Sequence, residues 1–194
     1  AMVFQKLLSF YRNSFVYIWF HPKVGFWVGA SPEKLLTIED DFMQTVALAG
    51  TTKESSDGLV NWSDKEIKEQ QYVKSYILDS LNNVVDKLSS DELVNVKSGD
   101  LYHLCSKISG TLKSFSDYKD IIKLIHPTPA VCGIPLNASK EFISKNECYD
   151  RSYYTGYLGV VSPNKKSVKL YVNLRCAEAV SYTHLTLPTK WFVG

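Results

Sequence analysis

No apolar run in this 194-residue chain is long enough to cross a bilayer; the longest, Phe15 to Phe20, has only the length of a strand. Nor is charge of one sign in excess. Lys and Arg number 22 against 20 Asp and Glu, leaving +2, so nothing draws the chain broadly to nucleic acid or anionic lipid. A basic-then-apolar leader is missing at the start, because Gln5, Lys6, Arg12 and Asn13 interrupt it; the cytoplasm is the expected location. The four cysteines, Cys105, Cys132, Cys148 and Cys176, include no Cys-x-x-Cys pair, which speaks against a zinc ribbon or a disulfide framework. Buried free thiols are expected instead. Internal repeats and low-complexity stretches are absent too. What remains is 45% apolar and 22% charged, an ordinary globular composition that excludes a disordered or collagen-like chain. The length fits one domain, or one domain and a fragment.

Strand signals dominate. Phe15-Val-Tyr-Ile-Trp-Phe20 is β-branched and aromatic throughout and reads as a strand buried on both faces. Gly25 to Gly29 reads as its partner across His21-Pro22-Lys23, and Leu35 to Ile38 with Phe42 to Leu48 as a further hairpin that ends by Ala49-Gly50-Thr51-Thr52. Leu93 to Val96, Tyr102 to Ile108, Tyr154 to Val161 and Val168 to Arg175 are further predicted strands. The clearest helix is Ser63 to Leu88. It opens on the capping-box sequence Ser63-Asp64-Lys65-Glu66 and carries Val73, Ile77, Leu81, Val84 and Leu88 at helical spacing. Glu69, four residues before Val73, would place a carboxylate on that stripe, where a charge is expensive unless paired or metal-bound. Shorter helices are predicted over Asp117 to Ile125, capped by Ser116 and stopped by His126-Pro127-Thr128-Pro129, and over Ala138 to Lys145, capped by Asn137. Adjacent strand pairs with helices in two blocks predict an α+β fold with mainly antiparallel sheets.

Six stretches, taken together and in order, resemble the chorismate-utilising enzymes. They are Gly29-Ala-Ser-Pro-Glu33-Lys-Leu-Leu36, Ala47-Leu-Ala-Gly-Thr51, Ser63-x-Lys65-x-x-x-Glu69, His126-Pro-Thr-Pro-Ala-Val-Cys-Gly-Ile-Pro135, Glu147-x-x-Asp150-Arg151-x-x-Tyr154-x-Gly156 and Leu174-Arg175-Cys176-Ala177. The likeness runs over residues 4 to 178. The resemblance implies a sandwich of two mainly antiparallel sheets with helices outside. Within the family the His-Pro-Thr-Pro-Ala loop resembles isochorismate synthase, which adds water, more than the ammonia-using synthases. The implied reaction takes chorismate to isochorismate, for menaquinone or siderophore synthesis, with water attacking one ring carbon while the ring hydroxyl leaves from another.

A hydroxide-like leaving group needs a proton from an acid of raised pKa. By resemblance that acid is Glu33; taken locally, Ser31-Pro32-Glu33 is a helix or turn start. Mg²⁺ holds a substrate carboxylate in the family, and Glu69 matches one of its ligands; the bland alternative is a helix charge paired with Lys65 or Lys74. Arg175 matches a carboxylate clamp, a task suited to a planar two-pronged donor, where a strand-edge charge is the alternative. Gly50 and Thr51 match a backbone-and-hydroxyl substrate contact, and His103 a group near the reacting hydroxyl that could equally be a core histidine. The resemblance implies that Thr128 to Ala130 shape the pocket wall and that Gly156 and Tyr154 line the same pocket, while His126 reads as structural. Lys65 to Lys68, Lys165 and Lys166 read as solvated surface.

Two parts of the family pattern have no counterpart here: an upstream strand lysine that activates water, and a Ser-x-Pro-x-x-Glu-Trp segment with the second metal ligand. From about Ala179 the chain resembles the translation of a sequencing adaptor. The expectation is a partial catalytic domain over 1–178, a foreign tail over 179–194, and no turnover by the chain as written. Salicylate synthase, an ammonia-using synthase and a non-catalytic chorismate-fold binding protein are the alternatives.

Overall fold

The computed structural model describes residues 2–113, 117–179 and, as backbone, 185–186. The elements in order are α1 (Met2–Phe10), β1 (Phe15–His21), β2 (Gly25–Ser31), β3 (Lys34–Glu39), β4 (Phe42–Lys53), α2 (Asp64–Leu81), β5 (Val85–Ser90), β6 (Val94–Ser98) and β7 (Leu101–Leu112). There follow α3 (Tyr118–Ile125), α4 (Pro129–Cys132), α5 (Leu136–Asn146), β8 (Tyr157–Val161), β9 (Ser167–Val172), β10 (Cys176–Ala179) and β11 (Leu185–Thr186). One sheet has the order β1-β2-β10-β11; the other has β5-β7-β4-β3-β9-β8, with β6 also on β7. The pairings β1–β2, β2–β10, β3–β4, β4–β7, β5–β7 and β6–β7 are all antiparallel, as the α+β expectation required. The chain divides into unit 1 (residues 1–35, 149–160 and 169–194) and unit 2 (36–148 and 161–168).

Unit 1 is organised on β1, β2 and β10. Tyr17, Trp27 and Cys176 form its buried centre, flanked by Phe15, Trp19, Tyr154 and Leu158. Trp19 stacks on Trp27 at 6.4 Å, and Tyr153 meets Trp27 edge-on at 5.5 Å. Burial of β1 on both faces is not what forms. As the edge strand of its sheet, β1 turns Tyr17 inward and leaves Ile18 and Phe20 38% and 62% exposed. Helix α1, which no periodicity marked, packs on β1 and β2 without burying a single residue.

Unit 2 is built around the long β4–β7 pair and the helix laid across it. On β4, Met43, Thr45 and Ala47 alternate into the interior, and α2 faces them with Gln70, Val73, Ile77 and Leu81. The predicted capping box forms. The Ser63 amide donates to Glu66 Oε2 at 3.0 Å and the Ser63 hydroxyl accepts from the Lys65 amide. The helix stops at Leu81, seven residues before the predicted end. Beyond Asn82 and Asn83 the chain becomes strand β5, and Val85 pairs with Leu112; a β-branched pair after two turn-forming residues favours that outcome.

Two caps differ from expectation. Ser116 lies outside the described residues, and Asp117 caps α3, accepting from the Lys119 amide at 3.0 Å. Helix α5 starts at Leu136 behind Pro135, so Asn137 is inside it rather than its cap. Helix α3 ends at Ile125 as the prolines demand, with His126 extended. All four cysteines are free, but only Cys105 and Cys176 are buried; Cys132 is half-buried and Cys148 exposed. The predicted foreign tail lies outside the described residues except for Ala179, Leu185 and Thr186, and Ala179 pairs with Leu185. Among the described residues no helix is long and apolar enough to cross a membrane.

Ile77 is fully buried at the centre of the α2 face, so Ile77→Ala is expected to cost about 2–5 kcal/mol. Phe142→Ala, at an exposed position of α5, is expected to stay within about 0.5 kcal/mol. Urea midpoints of the two variants check both values.

Candidate active site

In unit 2 three of the residues marked by resemblance, Gly50, Thr51 and His103, meet at an irregularity in β4. Pairing with β7 runs regularly to Ala49↔Leu104 and resumes at Thr51↔His103, leaving Gly50 as an inserted residue. Such bulges re-aim side chains and favour a glycine of positive φ; Gly50 has φ +77°. A Cβ on Gly50 would lie 3.1 Å from the Glu66 Cβ and 3.3 Å from its carbonyl oxygen. The first turn of α2 therefore rests directly on the bulge. Strand β4 does not end here, as the sequence suggested, but continues through the bulge to Lys53.

The bulge brings Thr51 Oγ1 to 3.1 Å and the Gly50 carbonyl to 3.3 Å from His103 Nδ1. A carbonyl can only accept, so this geometry favours the proton on Nδ1, shared towards Gly50 and Thr51. Gly50, Thr51 and His103 thus form one group, half-buried at the glycine and the ring.

Glu69 is not on the buried stripe. Each four-residue step of a helix turns about 40° beyond a full circle, so the series Val73, Ile77, Leu81 drifts towards Gln70 and away from Glu69. Gln70 is 1% exposed, and its Nε2 donates to Ser106 Oγ at 3.2 Å and the Ala47 carbonyl at 3.4 Å. Glu69 is exposed and lies 3.8 Å from Lys65 Nζ, the pairing that the apolar-stripe argument set aside. It still stands one position short of a turn beyond Glu66, the residue on which Gly50 packs. Ala130 is separate, exposed on the short helix α4 beside buried Thr128.

In unit 1 one segment organises the remaining candidates. The expected continuous strand Val168 to Arg175 breaks after Val172, where the Leu174 amide turns back onto the Val172 carbonyl at 3.0 Å. Across the break, the Val172 amide donates to the Glu33 carbonyl at 2.9 Å and the Asn173 amide to the Gly156 carbonyl at 2.8 Å. The Arg175 carbonyl accepts from the Ala30 amide at 2.8 Å. Four consecutive residues thus tether the backbones of Glu33 and Gly156 and carry Arg175. Ser31-Pro32-Glu33 is the link between β2 and β3 rather than a helix start. Tyr154 packs, partly buried, against the Tyr17–Trp27–Cys176 centre.

Glu33 is half-buried, and desolvation of its carboxyl pushes its pKa up to about 7. Water no longer stabilises the charged form, so the proton is held into the neutral range. A carboxylic acid still protonated near pH 7 can donate to a leaving group. For a divalent cation the donor set is thin: the described residues contain no group of three His, Cys, Asp or Glu able to hold a metal ion. Glu69 offers one exposed carboxylate. That fits an open Mg²⁺ site completed by substrate and water oxygens, and does not fit a closed protein cage.

Comparison with known proteins gives the family. Residues 1–185 match the family described as chorismate binding enzyme. The chain belongs to that family. The isochorismate synthase MenF of Haemophilus influenzae is 32% identical over 161 residues, covering 78% of this chain and 37% of that protein. The crystal structure of DhbC from Bacillus anthracis is 28% identical with a TM-score of 0.81, over 91% of this chain and 51% of that one. Anthranilate synthase component I from Streptococcus pneumoniae, at 18% identity, TM-score 0.77, 90% of this chain and 40% of that one, shares the fold. The chain spans well under half the length of the curated relatives it matches.

Sequence reasoning missed two residues of this family member that tie its unit 1 candidates together, Tyr17 and Asn173. Neither belongs to a periodic face or a motif, and their hydrogen bond joins positions 156 residues apart. No local signal could have found it.

The Glu33 acid makes a stability prediction. Its folded pKa lies above the ordinary 4.5, so its contribution is whole below about pH 4.5 and is lost as pH rises through 7. Glu33→Gln cannot ionise. It is expected to match the parent in acid and to exceed it by up to about 3 kcal/mol at pH 8, read from urea midpoints across pH. Equal midpoints at pH 8 would remove the desolvated acid.

Proposed function

We propose that this chain is the chorismate-handling part of an isochorismate synthase, which converts chorismate to isochorismate. Water adds to one ring carbon and gives up a proton, while the ring hydroxyl leaves another carbon, takes a proton and departs as water. Atoms and charge therefore balance, and the enzyme must deliver a proton to a poor leaving group. The observation that carries the reading is Glu33: a half-buried carboxyl with a pKa of about 7, held at its backbone by Val172. In this reading Glu33 donates the proton and His103, positioned by Gly50 and Thr51, stands near the hydroxyl. Arg175 clamps a substrate carboxylate, and Gly156 and Ala130 shape the pocket wall. Mg²⁺ would supply charge compensation for a carboxylate, with Glu69 as one ligand. The product would serve menaquinone or siderophore synthesis in the cytoplasm.

Expressed as its complete reading frame and supplied with chorismate and Mg²⁺, the protein is expected to yield isochorismate on chromatography. Salicylate with pyruvate, or an amino product, would replace the reading with one of its rivals. Glu33→Gln is expected to lower turnover by about 10²–10⁴-fold, and parental turnover is expected to fall as pH rises above about 7, where Glu33 loses its proton. Glu69→Gln is expected to raise the Mg²⁺ concentration needed for half-maximal rate; an unchanged Mg²⁺ requirement would remove Glu69 from the metal site.

A further inference from the structure

Asn173 is 3% exposed, and every polar group it carries is engaged within unit 1. Its side-chain Nδ2 donates to the Tyr153 carbonyl at 2.8 Å. A carbonyl cannot donate, so the amide nitrogen must face it and Oδ1 must face the other way. There Oδ1 accepts from the Tyr17 phenol at 2.6 Å. Its backbone amide donates to the Gly156 carbonyl, and its backbone carbonyl accepts from the Thr155 amide, both at 2.8 Å. Asn173 therefore staples the loop Tyr153–Gly156 to the break between β9 and β10, two residues before Arg175.

Tyr17 acts on the same segment a second way. A Cβ at Gly29 would lie 2.6 Å from Tyr17 Cε1 and 2.7 Å from the Arg175 carbonyl. The Tyr17 ring and the Arg175 carbonyl thus both close on the position that a side chain at Gly29 would occupy. Burial pushes the Tyr17 phenol well above its ordinary pKa, which keeps it a proton donor throughout the neutral range.

We infer that Tyr17 and Asn173 are positioning residues for substrate binding: they fix the backbone that presents Arg175 and Gly156, and so set affinity for the substrate carboxylate without touching the reacting atoms. The inference rests on the proposed role of Arg175 as carboxylate clamp. It assigns a task to two buried polar groups that a merely structural core would fill with Phe and Leu more cheaply.

The test is a double-mutant cycle in the complete protein, read as KM and kcat for chorismate. Arg175→Ala is expected to raise KM on the order of a hundredfold. Tyr17→Phe removes only the phenol oxygen and is expected to raise KM about fivefold with kcat within about twofold. On the Arg175→Ala background, Tyr17→Phe is expected to add nothing, because the group it positions is gone; a general loss of structure would add in full. Asn173→Ala carries the same test should Tyr17→Phe not fold. If Arg175→Ala leaves KM unchanged, the clamp reading fails and the inference falls with it. If Arg175→Ala raises KM while Tyr17→Phe and Asn173→Ala leave it unchanged, lower kcat instead, or act independently of Arg175, the positioning role alone is overturned.

Discussion

A buried amide has to have all its hydrogen-bonding groups answered, and in unit 1 that requirement falls on Asn173. Leaving one such group without a partner costs about 1–3 kcal/mol, so the Tyr153 carbonyl, the Thr155 amide, the Gly156 carbonyl and the Tyr17 phenol are all drawn to it. These partners come from two stretches far apart in sequence, Tyr17 and residues 153–156. Where they converge the chain leaves β9; Val172 and Asn173, on either side of that exit, hold the backbones of Glu33 and Gly156, and the segment that follows carries Arg175. Tyr17 and Gly29 complete the arrangement from the sheet side. An isosteric apolar core would be at least as stable, but it would not dictate where four successive backbone groups point.

Unit 2 solves a comparable problem with a single inserted glycine. A regular β4–β7 ladder would send Thr51 to the opposite face, since one residue of slip inverts every following side chain. The bulge at Gly50 makes that inversion deliberate, and it brings Thr51 and His103 into register. Only glycine serves there, because φ is +77° and the first turn of α2 sits where a side chain would go. The capping box that starts α2 is part of the same construction. Ser63 and Glu66 satisfy each other at the helix end, and the backbone of Glu66 forms the surface against which the glycine packs. Helix start and strand bulge are thus fixed together.

The parts of this fold legible in the sequence are those with local causes. The hairpin of Leu35 to Ile38 with Phe42 to Leu48, the Ser63-x-x-Glu66 cap and the prolines after Ile125 each act within a few residues, and each produced the element it implied. Failures fall where a non-local partner decides. Val84 and Leu88 keep helical spacing with Val73, but Leu112 claims Val85 for a strand. Phe15 to Phe20 is uniformly apolar, yet two of its six residues, Ile18 and Phe20, are exposed on the edge strand. Glu69 shows the limit of counting by fours: it and Gln70 are both close to the Val73 stripe, and only the direction in which the stripe drifts tells which is buried. Motif resemblance selected Gly50, Thr51 and His103, which do meet, whereas the Tyr17–Asn173 bond left no trace along the chain.

The same division bears on how Glu33 can be an acid at all. Nothing in Ser31-Pro32-Glu33 raises a carboxyl pKa; its only cause is desolvation. The backbone that carries this carboxyl is held by the Val172 amide. An acid tuned by burial opposes folding at neutral pH, whereas one tuned by a neighbouring negative charge would respond to salt. The pH-dependent stability of the chain and its capacity to donate a proton are therefore two consequences of the same buried carboxyl, and neither can be altered without the other.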